Sequence, residues 1–399
     1  MRATRLLDSY LRKQRQGIHG KRMDAVFKTV EALLSARKLT VTGLGRAVGG
    51  PAQVKHNIKC ADRLIGNPHL NSERAQICRA TARLLIGRCP RPVIIVDWSD
   101  LSDDRELHLL RASVAVDGRA LTLYEEAHYQ RHNGNPRVHE RFLARLKALL
   151  PQGCRPIVVT DAGFRTPWFR AVLALGWDYI GRVGGHTLVS PVGQNNWLRV
   201  EEVFATATRR ARYLGPIDLV RKHPLACHAY LLKRKPKGRI KRTRFGTKTA
   251  MKHSLKNAER ERSPWLLATS LPGGATGTKW VMNLYKTRMQ IEEAFRDVKN
   301  TRWGFSLNEA RSKIPYRYEN LLLIAQLATL AVWLVGTVAQ RQQWHRSYQA
   351  NTVRTHRVLS TFYLGLEVAR RTGVNFHRRH LHDAVRFVRH QISSAGAPS

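Results

Sequence analysis

Pro92-Val-Ile-Ile-Val-Asp97 is a continuous apolar run, rich in β-branched residues, that ends on a carboxylate. A short run without polar alternation reads as a strand buried on both faces in the middle of a sheet. Leu107 to Val116 and Ala120 to Tyr129 follow as two further strand-like stretches. They are joined by Asp117-Gly118, a dipeptide suited to a tight hairpin turn. Val138 to Leu150 has helical spacing, and Pro156-Ile-Val-Val-Thr-Asp161 then repeats the apolar strand ending in Asp. Thr166 to Leu175 reads as a helix and Trp177 to Val183 as another strand. This order predicts a mixed α/β sheet that opens with three antiparallel strands.

On the N-terminal side, residues 1–85 read as helical, with clear apolar periodicity from Met23 to Leu34. Leu39-Thr-Val-Thr-Gly-Leu-Gly-Arg-Ala-Val-Gly-Gly-Pro51, followed by a basic helix from Gln53 to Ile65, resembles a helix-turn-helix. Its second helix would enter a major groove, although a plain scaffold of short helices reads the same way. On the C-terminal side, Gly184 to Ser263 interrupts the α/β pattern with a cationic block, Lys233 to Arg244, and a strand-like piece, Cys227 to Lys233. Trp265-Leu-Leu-Ala-Thr-Ser returns to strand texture, and Thr278 to Lys299 predicts one long helix. The expected organisation is a helical DNA-binding region (1–85), an α/β domain (86–310) with an insertion at about 184–263, and a helical, basic C-terminal part (311–399).

The chain has 399 residues, and 69 Lys+Arg against 28 Asp+Glu give a net charge of +41. A positive field of that size favours a polyanion, with nucleic acid first among partners. Five cysteines (Cys60, Cys78, Cys89, Cys154, Cys227) with no Cys-x-x-Cys pair argue against a disulfide framework or zinc ribbon. They fit a reducing cytosol. The N-terminal Met-Arg-Ala-Thr-Arg-Leu-Leu-Asp carries no signal-peptide pattern. Leu321 to Ala339 is almost wholly apolar and near the roughly 20 residues that span a bilayer. A helix buried in a large core has the same composition, and a lone span amid basic sequence favours that reading.

Two features carry chemistry. Asp97 and Asp161 each close an apolar strand, where a buried carboxylate is costly unless paired or metal-bound. Tyr285, Arg288, Glu292 and Lys299 stand at offsets of 0, 3, 7 and 14, one face of a single helix. Asp97, Asp161 and Glu292 are hard oxygen donors suited to Mg²⁺, with Mn²⁺ as a substitute, in a two-metal site for phosphodiester chemistry. Arg288 and Lys299 would hold phosphates and Tyr285 would offer a hydroxyl. The plainer alternatives are a strand-end Asp as a turn residue and Arg288–Glu292 as a solvated i,i+4 pair. Asp100, Glu293 and Asp297 compete as ligands on spacing alone.

Tyr285-x2-Arg288-x3-Glu292-x6-Lys299 resembles, residue for residue, the signature of the bacterial insertion-sequence-four family of DDE transposases. Asp97 in Val-Asp-Trp-Ser and Asp161 in Val-Thr-Asp-Ala-Gly-Phe resemble that family's first and second catalytic aspartates. The resemblance implies an RNase H-like core with a β-rich insertion before the Glu helix, and cut-and-paste DNA transposition in the cytoplasm, at the nucleoid. It also implies a nick, a hairpin at the transposon end, hairpin opening and strand transfer into target DNA by a dimer on paired ends. Hairpin formation needs an unstacked end. Trp265 is the candidate stacking platform and Met289 a candidate wedge, with core packing the alternative for both. The rivals are an RNase H-fold nuclease or resolvase without strand transfer, a non-catalytic DNA-binding protein, and a membrane-anchored basic protein.

Overall fold

The computed structural model describes residues 3–14, 17–102, 104–234, 263–371 and 376–397. Most of the cationic block expected at Lys233 to Arg244 lies outside the described residues, as does the rest of 235–262. The chain opens with helices α1 (Ala3–Lys13), α2 (Gly20–Ala36), α3 (Val41–Ala47), α4 (Val54–Ile65) and α5 (Pro68–Ile86). Strands β1 (Val93–Asp100), β2 (Leu107–Ala115) and β3 (Ala120–Tyr129) follow, then α6 (Pro136–Leu149), β4 (Ile157–Thr160), α7 (Thr166–Ala174) and β5 (Asp178–Arg182). Next come β6 (Leu188–Pro191), β7 (Leu198–Arg199), α8 (Val200–Phe204), β8 (Arg212–Leu219), β9 (Leu225–Leu232) and β10 (Trp265–Thr269). The last helices are α9 (Thr278–Lys286), α10 (Met289–Lys299), α11 (Pro315–Arg341), α12 (Thr361–Arg370) and α13 (Arg378–Ala395). The chain packs as two compact units, Met1–Pro156 with Thr287–Ala397, and Ile157–Lys286.

In the first unit, β2 pairs antiparallel with both β1 and β3, as the hairpin reading predicts. Gly118 takes a φ of +74° in the turn, a conformation that glycine adopts at no steric cost. β1 continues past Asp97 to Asp100, so Asp97 is an internal residue of its strand and not its last. The register sets Asp97 opposite Arg111, and Arg111 opposite Glu125. In an antiparallel pair opposed residues share a face, so the three form one row across the sheet.

α11 is the core of this unit. From Leu321 to Ala339 every residue but Thr329 is buried, packed against α2, α12 and β3. Among the described residues it is the one helix long and apolar enough to cross a membrane, and the buried-core reading is the one the structure bears out. Two of its polar side chains reach across to neighbouring elements. Asn320 Nδ2 donates to the carbonyls of Ile65 (2.9 Å) and Asn67 (3.1 Å), and Gln326 Nε2 to Thr81 Oγ1 and the Thr122 carbonyl (both 3.2 Å). Near the N-terminus, Thr40 caps α3 by accepting from Gly43 N (3.1 Å). A Cβ on Gly45 would lie 2.4 Å from Ile58 Cα, so glycine is what lets α3 and α4 cross this closely. α4 buries Ala61, Leu64 and Ile65 and exposes Lys55, His56, Lys59 and Arg63.

The second unit is a seven-stranded sheet in the order β4-β5-β10-β9-β8-β6-β7. β4 and β5 are parallel and every other pairing is antiparallel. Strands β6 to β9, from the expected insertion, therefore extend the β4–β5 pair through β10. α7 packs on β5, where the Phe169 and Tyr179 rings stack at 4.4 Å.

Candidate functional site

The long helix expected over Thr278 to Lys299 is two helices. α9 ends at Lys286, Thr287 and Arg288 form a turn, and α10 begins at Met289. Each half is anchored on its own apolar face. α9 buries Val281, Met282, Leu284 and Tyr285, while α10 buries Ile291, Ala294, Phe295 and Val298. The single four-residue stripe is therefore corrected. Arg288, Glu292 and Lys299 remain on one face of α10, and Tyr285 belongs to the other helix.

α10 is fixed to the β2–β3 hairpin at two points. Gln290 accepts from Val116 N (3.0 Å) and donates to the Val116 carbonyl (3.1 Å). Arg119 makes a two-pronged bridge to Asp297, at 2.6 and 3.4 Å. Glu293 is engaged by Arg296 at 2.6 Å, and Asp100 lies 3.1 Å from His108 Nδ1. The three competing carboxylates thus have partners of their own, as Glu292 has in Arg288.

Arg288, at the N-cap of α10, gathers the site. Its Nη1 lies 3.3 Å from Asp97 Oδ2, and its Nη2 donates to Glu292 Oε1. Asp97 is 8% exposed and its other oxygen accepts from Trp98 N at 2.9 Å. The Glu292 side chain is 40% exposed. Two carboxylates from two elements, one buried and one partly exposed, thus converge on one cation, which favours the charged form of both. At the far end of α10, Lys299 Nζ donates to Ser99 Oγ (2.7 Å) and to the Asp100 carbonyl of β1. Met289 is half-buried, and its sulfur lies 3.3 Å from Arg288 Nη2.

In the second unit, Asp161 stands immediately after β4, half-buried, and its Oδ1 accepts from Gly163 N at 2.8 Å. That bond shapes the turn after β4. Trp265 starts β10 at 6% exposure, with the Tyr285 ring edge-on at 4.8 Å and the Arg234 guanidinium over its face at 4.4 Å. Tyr285 is itself 3% exposed. Both aromatics are packed residues here.

Sequence reading passed over the row beside Asp97. Arg111 and Glu125, each 2% exposed, are joined at 2.6 Å, and Arg111 lies 4.7 Å from the Phe295 ring of α10. The signal was present in one Arg within the apolar run of β2 and the Glu125-Glu126 pair within β3. All are oxygen or guanidinium groups, and five cysteines are free.

Among the described residues, no group of three or more His, Cys, Asp and Glu side chains is gathered closely enough to hold a metal ion. The donor set still fits a hard divalent cation, since Asp97 and Glu292 already share a positive group and both offer oxygen. The match to known proteins comes from a family model described as "Transposase DDE domain", which covers residues 88–328. No curated protein matches the chain.

Proposed function

The chain belongs to the transposase DDE-domain family, and from that premise we propose that it is a cut-and-paste transposase of the insertion-sequence-four type. It would nick a transposon end, form and reopen a hairpin, and join the freed 3′-end to target DNA. The core is read as RNase H-like, flanked by a helical DNA-binding region (1–85) and a helical C-terminal region (311–399) that contributes to a dimer on paired ends. Its place of action is the cytoplasm, on the nucleoid. The observation that carries the reading is the convergence of Asp97 from β1 and Glu292 from α10 on the single guanidinium of Arg288.

Asp97, Asp161 and Glu292 are the residues that would hold Mg²⁺, or Mn²⁺ in its place. The ions would supply activation of the attacking oxygen and charge neutralisation at the scissile phosphate. Asp97, held by Trp98 N, presents one oriented oxygen. Arg288, released from the carboxylates, would turn its planar donors to a phosphate, for which guanidinium geometry is well matched. Lys299, at the other end of the same helix face, would hold the backbone further along. Tyr285 would add a hydroxyl contact, and Met289 beside Arg288 a wedge at the bent end. Trp265 would stack an extruded base once Arg234 moves off its ring.

Asp97→Ala, Asp161→Ala and Glu292→Ala should each abolish cleavage of end DNA in Mg²⁺ while binding to the same DNA persists. Wild-type nicking by any one of them would sink the assignment. A chain that nicks but never joins a 3′-end to target DNA would be a nuclease of the same fold. Trp265→Ala should spare the first nick and impair the hairpin step, and an equal loss in both would remove its stacking role.

A further inference from the structure

Four residues beyond Lys299 the chain presents Trp303 at 48% exposure. An indole this open is unusual cargo for a surface loop, and here the loop is built to hold it out. Asn300 Oδ1 accepts from the backbone N–H groups of Arg302 (2.8 Å) and Trp303 (2.6 Å). The Asn300 carbonyl accepts from Gly304 N (3.2 Å) and Ser306 N (3.1 Å), and the Asp297 carbonyl from Phe305 N (3.1 Å). A Cβ on Gly304 would lie 2.0 Å from the Asp297 carbonyl oxygen, so only glycine permits this tight return. Arg37 Nη2 then donates to the Arg302 carbonyl at 3.2 Å, and the buried Phe305 pins the loop behind.

The ring is also oriented. Tyr363 meets it edge-on at 5.2 Å, and the Arg302 guanidinium lies over it at 4.7 Å. Arg302 is exposed, and no carboxylate pairs with it among the described residues. The acidic groups nearby are engaged elsewhere: Glu367 with Arg37 (3.3 Å), Glu309 with Lys38 (2.5 Å) and Asp297 with Arg119 (2.6 Å). A rigid exposed indole with an uncompensated guanidinium on it offers a base a stacking surface and its phosphate a cation.

We propose that Trp303 and Arg302 form a stacking platform for an unpaired base of DNA at the C-terminal end of the Glu292 helix. The proposal rests on the transposase reading, and it adds a contact for strand that has left the duplex.

The test is equilibrium binding of oligo(dT) carrying a fluorescent base analogue, beside a blunt duplex of mixed sequence. Trp303→Ala should weaken oligo(dT) binding about tenfold and lose the quenching of the analogue, while duplex binding and thermal stability hold. Trp303→Phe should restore most of the affinity. Oligo(dT) affinity and quenching like wild type in Trp303→Ala would overturn the platform, as would an equal loss for duplex. The assay needs no cleavage, so failure of the carboxylate variants to alter nicking would remove the transposase reading and leave this result interpretable.

Discussion

Arg288 holds together two carboxylates that would otherwise repel each other, and its effect on a divalent cation can be worked out from that fact. In the structure its guanidinium neutralises Asp97 and Glu292, so it competes with any metal for those oxygens. On the proposed function it would also turn its donors to a phosphate. Arg288→Ala should therefore lower the Mg²⁺ concentration that half-saturates the protein while reducing the nicking rate by about 100-fold or more, the scale of losing one preorganised charge-stabilising donor. Metal titration by calorimetry and single-turnover nicking read the two effects separately. Weaker Mg²⁺ binding would show that Arg288 positions the carboxylates and does not compete for them. A second residue-level expectation concerns the ring beside Asp97. Trp98 Nε1 donates to His139 Nε2 at 3.1 Å, so that nitrogen must be unprotonated. Burial, with help from His128, pushes His139 down from 6.5 to about 4. Burial would raise Glu126, but hydrogen bonds from His128, Tyr124 and Arg145 outweigh it and bring the carboxyl from 4.5 to about 2. Both folded values lie below the unfolded ones, so both contributions are complete above pH 6.5 and fade as pH falls. The His139 part goes between 6.5 and about 4, and the Glu126 part, about 3 kcal/mol, between 4.5 and about 2. Glu126→Gln should flatten the lower limb of stability against pH in urea melts, and an unchanged limb would mean the carboxyl is not held there.

At the scale of elements, glycine placement decides how tightly the central helix is gripped. A Cβ on Gly336 of α11 would stand 1.9 Å from the Thr361 carbonyl, and one on Gly365 of α12 would stand 2.0 Å from the Val332 carbonyl. Each glycine thus admits the other helix's backbone. Gly336→Ala should destabilise the fold by roughly 1–3 kcal/mol, the usual cost of overpacking, lowering the denaturation midpoint without changing the slope in urea. A neutral effect would show that the two helices can slide apart. The strands and most helices were legible because their signals are local: apolar β-branched runs for β1 and β4, Asp117-Gly118 for the hairpin, helical spacing for α6 and α7. The break between α9 and α10 was not, since no Gly or Pro marks it and the apolar period runs through it. It arises because α10 is tied to the hairpin by Gln290 and Asp297 while α9 buries its own face. Asp97, Arg288 and Glu292 could be singled out from spacing and strand position, and their side chains do meet. The burial of Trp265 and the Arg111–Glu125 pair were not, because both depend on which strands and helices meet.

For the whole molecule, the question is what a charge of +41 is for. Part of it is spent inside: Arg111 on Glu125, Arg119 on Asp297, Arg74 on the Glu125 carbonyl at 3.0 Å. These guanidinium groups fix the sheet to its helices and are not available to DNA. Others stand exposed, among them Lys55, Lys59 and Arg63 on α4 and Arg302 beside Trp303. If that exposed set grips phosphates, DNA binding must release counterions, and log affinity must fall steeply and linearly with log salt. A protein making roughly six to ten phosphate contacts loses about a thousandfold or more in affinity between about 50 and 200 mM salt, and that is the expectation for duplex DNA here. The slope also sorts cations by use. Lys59→Ala and Arg302→Ala should each reduce it by about one, the first on duplex and the second on single strand. Arg119→Ala should leave the slope as it is and lower stability, because its partner Asp297 would be left buried without a cation. A slope near zero for the wild type would mean that the charge balances the fold and recruits no polyanion. Equal reductions from all three variants would mean that the division between internal and DNA-facing cations drawn from their ion pairs is wrong.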